Sequence, residues 1–405
     1  MDESHFARLA EWVTGEGLVG STEAEMMTGF CERAVAAGLR LASGLMIIDT
    51  LHPIHEGRAV RWYQAKDKET ELVEYGRTNE GEAAATWRAS PFYRLVQSGE
   101  KLSRHRVDAE IKAGSSYFKS RHVEGTTEVV VMVNRFAAQG IIGDMDCVYS
   151  AWGTDRPEGF SDGEVAALRR LTPFLALAMK CTALGRIAET LVETYLGRDA
   201  GRMVLSGRIA RGVADRIGAA LWFSDLRGYT AITDTAAPEQ IIPLLNDYAD
   251  AIISAIHARG GDVLKLIGDG VLAIFRSKHG ATACRAAVAA ATSAAERIEE
   301  LNRRREAESL PTTHMYLGLH IGEVFFGNIG SKDRLDFTVV GPAVNETSRI
   351  AAMCRSVDQR ILMSAAFSEA LGDPRRVVSV GRYALRGVGR PQELFTLDPE
   401  VHAQP

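Results

Sequence analysis

Apolar and polar positions change rhythm several times along this 405-residue chain. Over residues 23 to 43 the apolar positions recur at helical spacing. LASGLMIIDTLH (41–52), GRAVRWYQ (57–64), TELVEYG (70–76), TTEVVVMVN (126–134) and MDCVYSAWG (145–153) read instead as strands, which predicts an antiparallel sheet flanked by helices. Ser161-Asp162-Gly163-Glu164 has the S-x-x-E form of a capping box, in which the serine oxygen and the glutamate carboxylate satisfy open backbone N–H groups. A helical pattern follows to about Leu196, with a kink or restart expected at Pro173. Within it Leu177, Leu184 and Leu191 recur every seven residues, with Ile187 and Thr194 at the intermediate positions. Such a short heptad seam suits a parallel contact between two chains, and packing of the same residues inside their own domain is the equal alternative. YLGRDAGRMVLSGRIARG (195–212), rich in Gly and Arg, reads as a linker.

The rhythm sharpens from residue 218. GAALWFSD (218–225) is a strand that ends in an acid. Pro238 to His257 is an amphipathic helix: Pro238 suits the first turn, Ile241, Leu244, Leu245, Tyr248, Ile252 and Ile256 line one face, and Gly260-Gly261 close it. GGDVLKLIGDGVLAIF (260–275) then reads as a hairpin whose tip is Gly268-Asp269-Gly270 and whose first apolar run contains Lys265. An alanine-rich helix (about 281–303) and the strand MYLGLHIGEVFFG (315–327) complete a β-α-β-β-α-β order, the split βαβ or ferredoxin-like unit. The predicted fold class is α+β in two domains.

Composition narrows the function. The chain is too long for one ordinary core, and 46% hydrophobic with 24% charged residues fits a globular protein. A net charge of −5 supplies no basic field for nucleic acid or an anionic membrane. No apolar run reaches ~18 residues, so no transmembrane helix is expected. The acidic start, MDESHFARLAEW, is unlike a secretory signal. Cys31, Cys147, Cys181, Cys284 and Cys354 are scattered, which suits free thiols in a reducing cytoplasm. His52 and His55 are the closest histidine pair, without further donors nearby to make a metal site.

Two acids carry the chemical signal. Asp225 stands where a strand turns into LRGYT, and Gly228 with the open N–H groups of the following helical turn could cradle a phosphate. Asp269 stands at the hairpin tip, where the flanking glycines permit the turn and keep bulk away from a ligand. In the split βαβ order these strands are neighbours, so the carboxylates converge. Paired acids beside a phosphate cradle suit one or two Mg²⁺ ions bridging carboxylate and triphosphate oxygens.

FSDLRGYT (223–230), LKLIGDGVLAIF (264–275) and DFTVVGPAVNETSR (336–349) together resemble the class III nucleotidyl cyclases, over about residues 215 to 397. Those enzymes turn a nucleoside triphosphate into a 3′,5′-cyclic monophosphate and pyrophosphate. The resemblance implies that Asp225 and Asp269 bind two Mg²⁺ or Mn²⁺ ions per site. It implies that Asn345 and Arg349, four residues apart on one helix face, orient the ribose and neutralise charge on the α-phosphate. Lys265 and Thr338 match the purine-selecting positions, and Arg386 falls where the family usually has a lysine for the terminal phosphates. Thr338 stands where many animal enzymes have Asp, and bacterial subclasses with Thr there are the nearer resemblance. Arg386 for Lys keeps the charge and changes the geometry, and Tyr229 for Phe adds a hydroxyl. The resemblance also implies a homodimer, with the aspartates from one subunit and the base-selecting and transition-state residues from the other. Lys265 favours ATP. Guanylate cyclase is the nearest rival, and a silent nucleotide-binding relay the more distant one. GGDVL also invites comparison with the GG(D/E)EF hairpin of diguanylate cyclases, but here Gly260-Gly261 precede the strand and the last two residues differ.

The strand content, the long exit helix and GFSDGEVAALRRLTPFLALAM (159–179) resemble a GAF-type sensor domain. Trp62, Tyr63, Trp87, Phe92, Tyr93 and Trp152 could line a ligand pocket there, although core positions suit them better. The reading is a GAF/PAS-like sensor at 1–175 for an unknown signal, a signalling helix or coiled-coil linker at 176–214, and a cyclase catalytic domain at 215–405.

Overall fold

The computed structural model describes residues 1–65, 68–136, 143, 145–373 and 377–398. The end of the expected catalytic domain, 399–405, lies outside the described residues. The chain divides into two compact units, Met1–Leu191 and Val192–Pro405.

The first unit is built on a six-stranded sheet of β1 (Ser43–Asp49), β2 (Gly57–Tyr63), β3 (Glu71–Tyr75), β4 (Leu102–Arg106), β5 (Glu128–Arg135) and β6 (Cys147–Thr154). Its spatial order is β3-β2-β1-β6-β5-β4, antiparallel throughout. Helices α1 (Glu3–Val19) and α2 (Glu23–Ala36) and the long α7 (Asp162–Leu196) cover one face; α3 (Gly81–Ala89), α4 (Pro91–Ser98), α5 (Val107–Lys112) and α6 (Tyr117–Val123) lie on the other. The apolar run in β5 follows from this cover. Val130 and Met132 face α2 and α7, while Val129, Val131 and Val133 face the short helices. The aromatic residues divide the same way: Trp62 and Trp152 belong to the first core and Phe92 to the second, so they line no common pocket.

Helix α7 opens with the expected capping box, Ser161 Oγ accepting from the Glu164 N–H and the Glu164 carboxylate accepting from the Ser161 N–H. It runs 35 residues without the restart expected at Pro173. Pro173 and Arg169, whose carbonyl loses its partner, are both exposed, so water can replace the missing bond. The heptad expectation needs a second correction. Ile187 is 2% exposed in the unit's own core and is not available to a seam. The outward side of α7 instead carries Phe174, Leu177 at 60% exposure, Cys181 and Ala188, with Leu184 and Leu191 partly buried alongside. By length and composition α7 could also cross a membrane, against the expectation of no such helix, although much of it is buried in this core.

The second unit begins within the stretch read as a linker, which forms helix α8 (Arg198–Leu205). Its Ala200 is buried, and Leu196, Met203 and Val204 pack against the sheet. Polar spacing hid this helix, because only one face of it is apolar. The sheet contains β7 (Ala214–Leu226), β8 (Asp262–Ile267), β9 (Gly270–Phe275), β10 (Met315–Gly330), β11 (Leu335–Val340), β12 (Ile361–Ser364), β13 (Val377–Tyr383) and β14 (Gln392–Leu397). Their order is β13-β14-β12-β10-β7-β9-β8, with β11 paired to the far half of β10. The helices are α9 (Tyr229–Thr235), α10 (Pro238–Ala258), α11 (Gly280–Ala307), α12 (Pro342–Met353) and α13 (Ala365–Leu371). Ala220, Trp222, Leu317 and Leu319 point toward α10, α11 and α13. Ala219, Leu221, Leu272 and Phe326 point to the other face, where α8, β11 and α12 pack.

Candidate active site

Strand alternation places Asp225 on the same face as Ala219 and Leu221, the face that α12 covers. Asp269 joins it from the β8–β9 turn, where its Oδ2 accepts the Leu226 N–H at 3.0 Å. The glycines around Asp269 have separate duties. Gly268 adopts φ +62, the left-handed region. A Cβ on Gly270 would lie 2.9 Å from the Ser224 carbonyl, so only glycine lets the turn close against β7.

Asp225 Oδ1 is buried without a hydrogen-bond partner from another of the described residues. Burial, and then the charge of Asp269, push its carboxyl up to about 6. Two acids held together with one oxygen unpaired fit a divalent cation, which would supply the missing electrostatic partner. The described residues contain no group of three or more His, Cys, Asp and Glu side chains that could hold a metal. A divalent cation there would need further oxygen donors beyond the two carboxylates.

This gives a pH prediction. Protonation of Asp225 competes with the cation, so Mg²⁺ affinity is expected to fall about tenfold per pH unit below about pH 6 and to level off above it. Titration calorimetry from pH 5 to 8 checks this, and a flat profile would contradict it. The cation-free fold has the opposite dependence. A raised carboxyl contributes stability fully below its ordinary value of 3.8, and that contribution is lost as pH rises through about 6.

Gly228 takes φ +70 just before α9, a seven-residue helix with no side-chain cap. Asn345 and Arg349 lie on α12, whose closeness to the sheet depends on β10. A Cβ on Gly318 would meet the Thr347 carbonyl and the Ala351 nitrogen, each at 2.5 Å. Asn345 is exposed. The Arg349 guanidinium lies against the loop between β13 and β14, where a Cβ on Gly387 would be 3.2 Å from its Nη2. That loop carries the exposed Arg386, so two cations expected to meet phosphate come from neighbouring elements.

Lys265 lies opposite Leu272, after a bulge that begins at Val263. Its ammonium is ion-paired with Asp336 on β11, the strand of Thr338. The sequence alone does not single out Asp336. What marks it is the D-F-T-V pattern, because Phe337 and Val339 are buried and leave Asp336 and Thr338 together on the other side of the strand. Asp262, in the GGDVL stretch, has a structural duty: its Oδ1 accepts the Asp199 N–H at the start of α8.

Residues 215–398 match the family described as the adenylate and guanylate cyclase catalytic domain. This segment is an adenylate/guanylate cyclase catalytic domain. Adenylate cyclase 1 of Rhizobium meliloti is 27% identical over 203 residues, 49% of this chain and 30% of that protein. The adenylate cyclase of Anabaena cylindrica is 34% identical over 156 residues, 38% of this chain and 30% of that protein. The match thus covers less than a third of these relatives. Among solved structures, the adenylyl cyclase CyaB from P. aeruginosa aligns at 24% identity over 46% of this chain and 96% of its own, with TM-score 0.43. The guanylyl cyclase Cya2 aligns at 31% identity over 45% and 93%, with TM-score 0.41. Asp225, Asp269, Asn345 and Arg349 all lie within the matched residues 215–398.

Proposed function

We propose that the chain is a regulated adenylate cyclase, converting ATP to 3′,5′-cyclic AMP and pyrophosphate. The Asp225–Asp269 pair carries this reading: two acids meet with an oxygen unpaired, in a domain of a cyclase family. In the reaction the ribose 3′-oxygen bonds to the α-phosphorus, the bond to the β-phosphate bridge breaks, and the hydroxyl proton passes to solvent. Asp225 and Asp269 would hold Mg²⁺ or Mn²⁺, two ions per site, whose charge would stabilise phosphate oxygens. Asn345 orients the ribose, Arg349 meets charge developing at the α-phosphate, and Arg386 binds the outgoing phosphates. Gly228 leaves room for phosphate before α9.

Lys265 supports ATP by donating to adenine N1, with Thr338 at the 6-amino group. Guanylate cyclase is the second reading, favoured by the Thr338 hydroxyl, which can donate to a guanine carbonyl as readily as it accepts. Incubating the full chain with ATP or GTP and resolving products by mass-detected chromatography tests both. Cyclic AMP from ATP is expected; cyclic GMP as the main product would replace the base assignment, and no cyclic product under Mg²⁺ or Mn²⁺ would favour a relay.

We read the β7-α10-β8-β9-α11-β10 core as ferredoxin-like, supported by its β10-β7-β9-β8 order, and the first unit as GAF-like, supported by its central antiparallel sheet with helices on both faces. The first unit would receive an unidentified signal and change cyclase output. Deleting residues 1–185 is expected to change turnover. We read the working form as a homodimer, supported by exposed Ile242, Leu266 and Ile267, apolar residues on α10 and β8 near the Asp269 turn. The outward stripe of α7 would pair with its copy in parallel. Cys181 is the one exposed thiol of the five, so mild oxidation is expected to give a covalent dimer that Cys181→Ser prevents. A wild-type protein that stays monomeric on a denaturing gel would remove the parallel pairing.

A further inference from the structure

We propose that Asp336 is a positioning residue of the base pocket, whose carboxylate holds the Lys265 ammonium so that a purine with a 6-amino group is selected. This deepens the adenylate cyclase reading and rests on it. The observation is the ion pair between Lys265 on β8 and Asp336 on β11. Thr338, two residues along β11, projects from the same side of the strand, because Phe337 and Val339 are each 3% exposed and fill the core. Three polar side chains from two strands therefore share one surface.

Their chemistry explains why the carboxylate matters. An ammonium has three donors and no acceptor. Alone it donates as well to the N1 acceptor of adenine as to the O6 acceptor of a 6-oxo purine. A threonine hydroxyl donates or accepts as its partner demands, so it leaves the choice open too. A carboxylate only accepts. Asp336 engages one N–H of Lys265, restricts the directions of the other two, and brings negative charge close to the donor that meets the base. An amino group at C6 is compatible with that charge, and a carbonyl oxygen is repelled by it. Both side chains are substantially exposed, and ion pairs of that kind contribute little to folding. Removal of the carboxylate should therefore leave the fold intact.

The test uses the full chain and equilibrium binding of 3′-deoxy-ATP and 3′-deoxy-ITP, which lack the attacking hydroxyl and differ at C6. The wild type is expected to prefer 3′-deoxy-ATP. Asp336→Asn is expected to reduce that preference at least about tenfold, because a site's polar complementarity at one atom is worth that much or more. Asp336→Glu is expected to restore most of it. A purely structural role would weaken both ligands equally and leave the ratio unchanged. Lys265→Gln separates the failures. If it lowers the ratio while Asp336→Asn does not, the base pocket stands and the role of Asp336 is overturned. If neither variant moves the ratio, or the wild type shows no preference, the assignment of Lys265 to the base falls and the proposal with it.

Discussion

Asp225→Asn is expected to reduce cyclic nucleotide formation by at least about 10³-fold while making the cyclase domain more stable. The two effects share one cause. Asp225 is partly buried beside Asp269, and both features push its carboxyl up to about 6. At neutral pH the cation-free protein therefore keeps an unfavourable charge in place. Replacing it with a neutral amide of the same shape removes the repulsion. A rise of about two pKa units corresponds to about 3 kcal/mol, and partial solvation of the site reduces the expected gain to about 1 kcal/mol. Thermal unfolding without divalent cation should show a midpoint a few degrees higher in the variant. Addition of Mg²⁺ should then raise the wild-type midpoint and leave that of Asp225→Asn almost unmoved. A variant that is both inactive and less stable would mean that the carboxylate supports the fold.

Arg349→Ala is expected to lower kcat by about 10²- to 10³-fold with little change in KM. The guanidinium lies beside Gly387, and in the proposed homodimer it would reach the site whose aspartates belong to the other subunit, meeting charge that develops only as the α-phosphate reacts. A group that acts mainly in the transition state affects kcat and spares ground-state binding. Arg386→Ala should show the contrasting pattern, with KM raised more than kcat is lowered, because Arg386 is exposed on the adjoining loop and placed to bind phosphate in the ground state. Steady-state kinetics on the two variants would separate the roles. Equal losses of kcat in both would mean that the arginines act as one unit.

The β-α-β-β-α-β core was legible because β7, β8, β9 and β10 are nearly continuous apolar runs bounded by glycine or by acids. Asp225 and Asp269 stand out in the sequence for the same reason, each an acid at the end of such a run, and the structure brings the two together. Less was readable where a partner decides the structure. Helix α8 has one apolar face, and only the sheet it packs on distinguishes it from a linker. Ile187 fits a heptad by spacing, yet its own core takes it. Asp336 is one acid among many until β11 is laid near β8 and Lys265 finds it. Periodicity reports which way a residue faces along its own element and is silent on what stands opposite.

The alternation in β7 also protects the domain from assembling wrongly. Trp222 and Asp225 are three residues apart, so they face opposite sides of the sheet. A slip of one residue against β10 would drive the carboxylate into the apolar layer beneath α10 and α11 and turn the indole out to water. Either change is costly, and the two occur together. The acid proposed to hold the cation therefore also proofreads the strand that carries it, and a misregistered chain would lose its shape before any question of specificity arose.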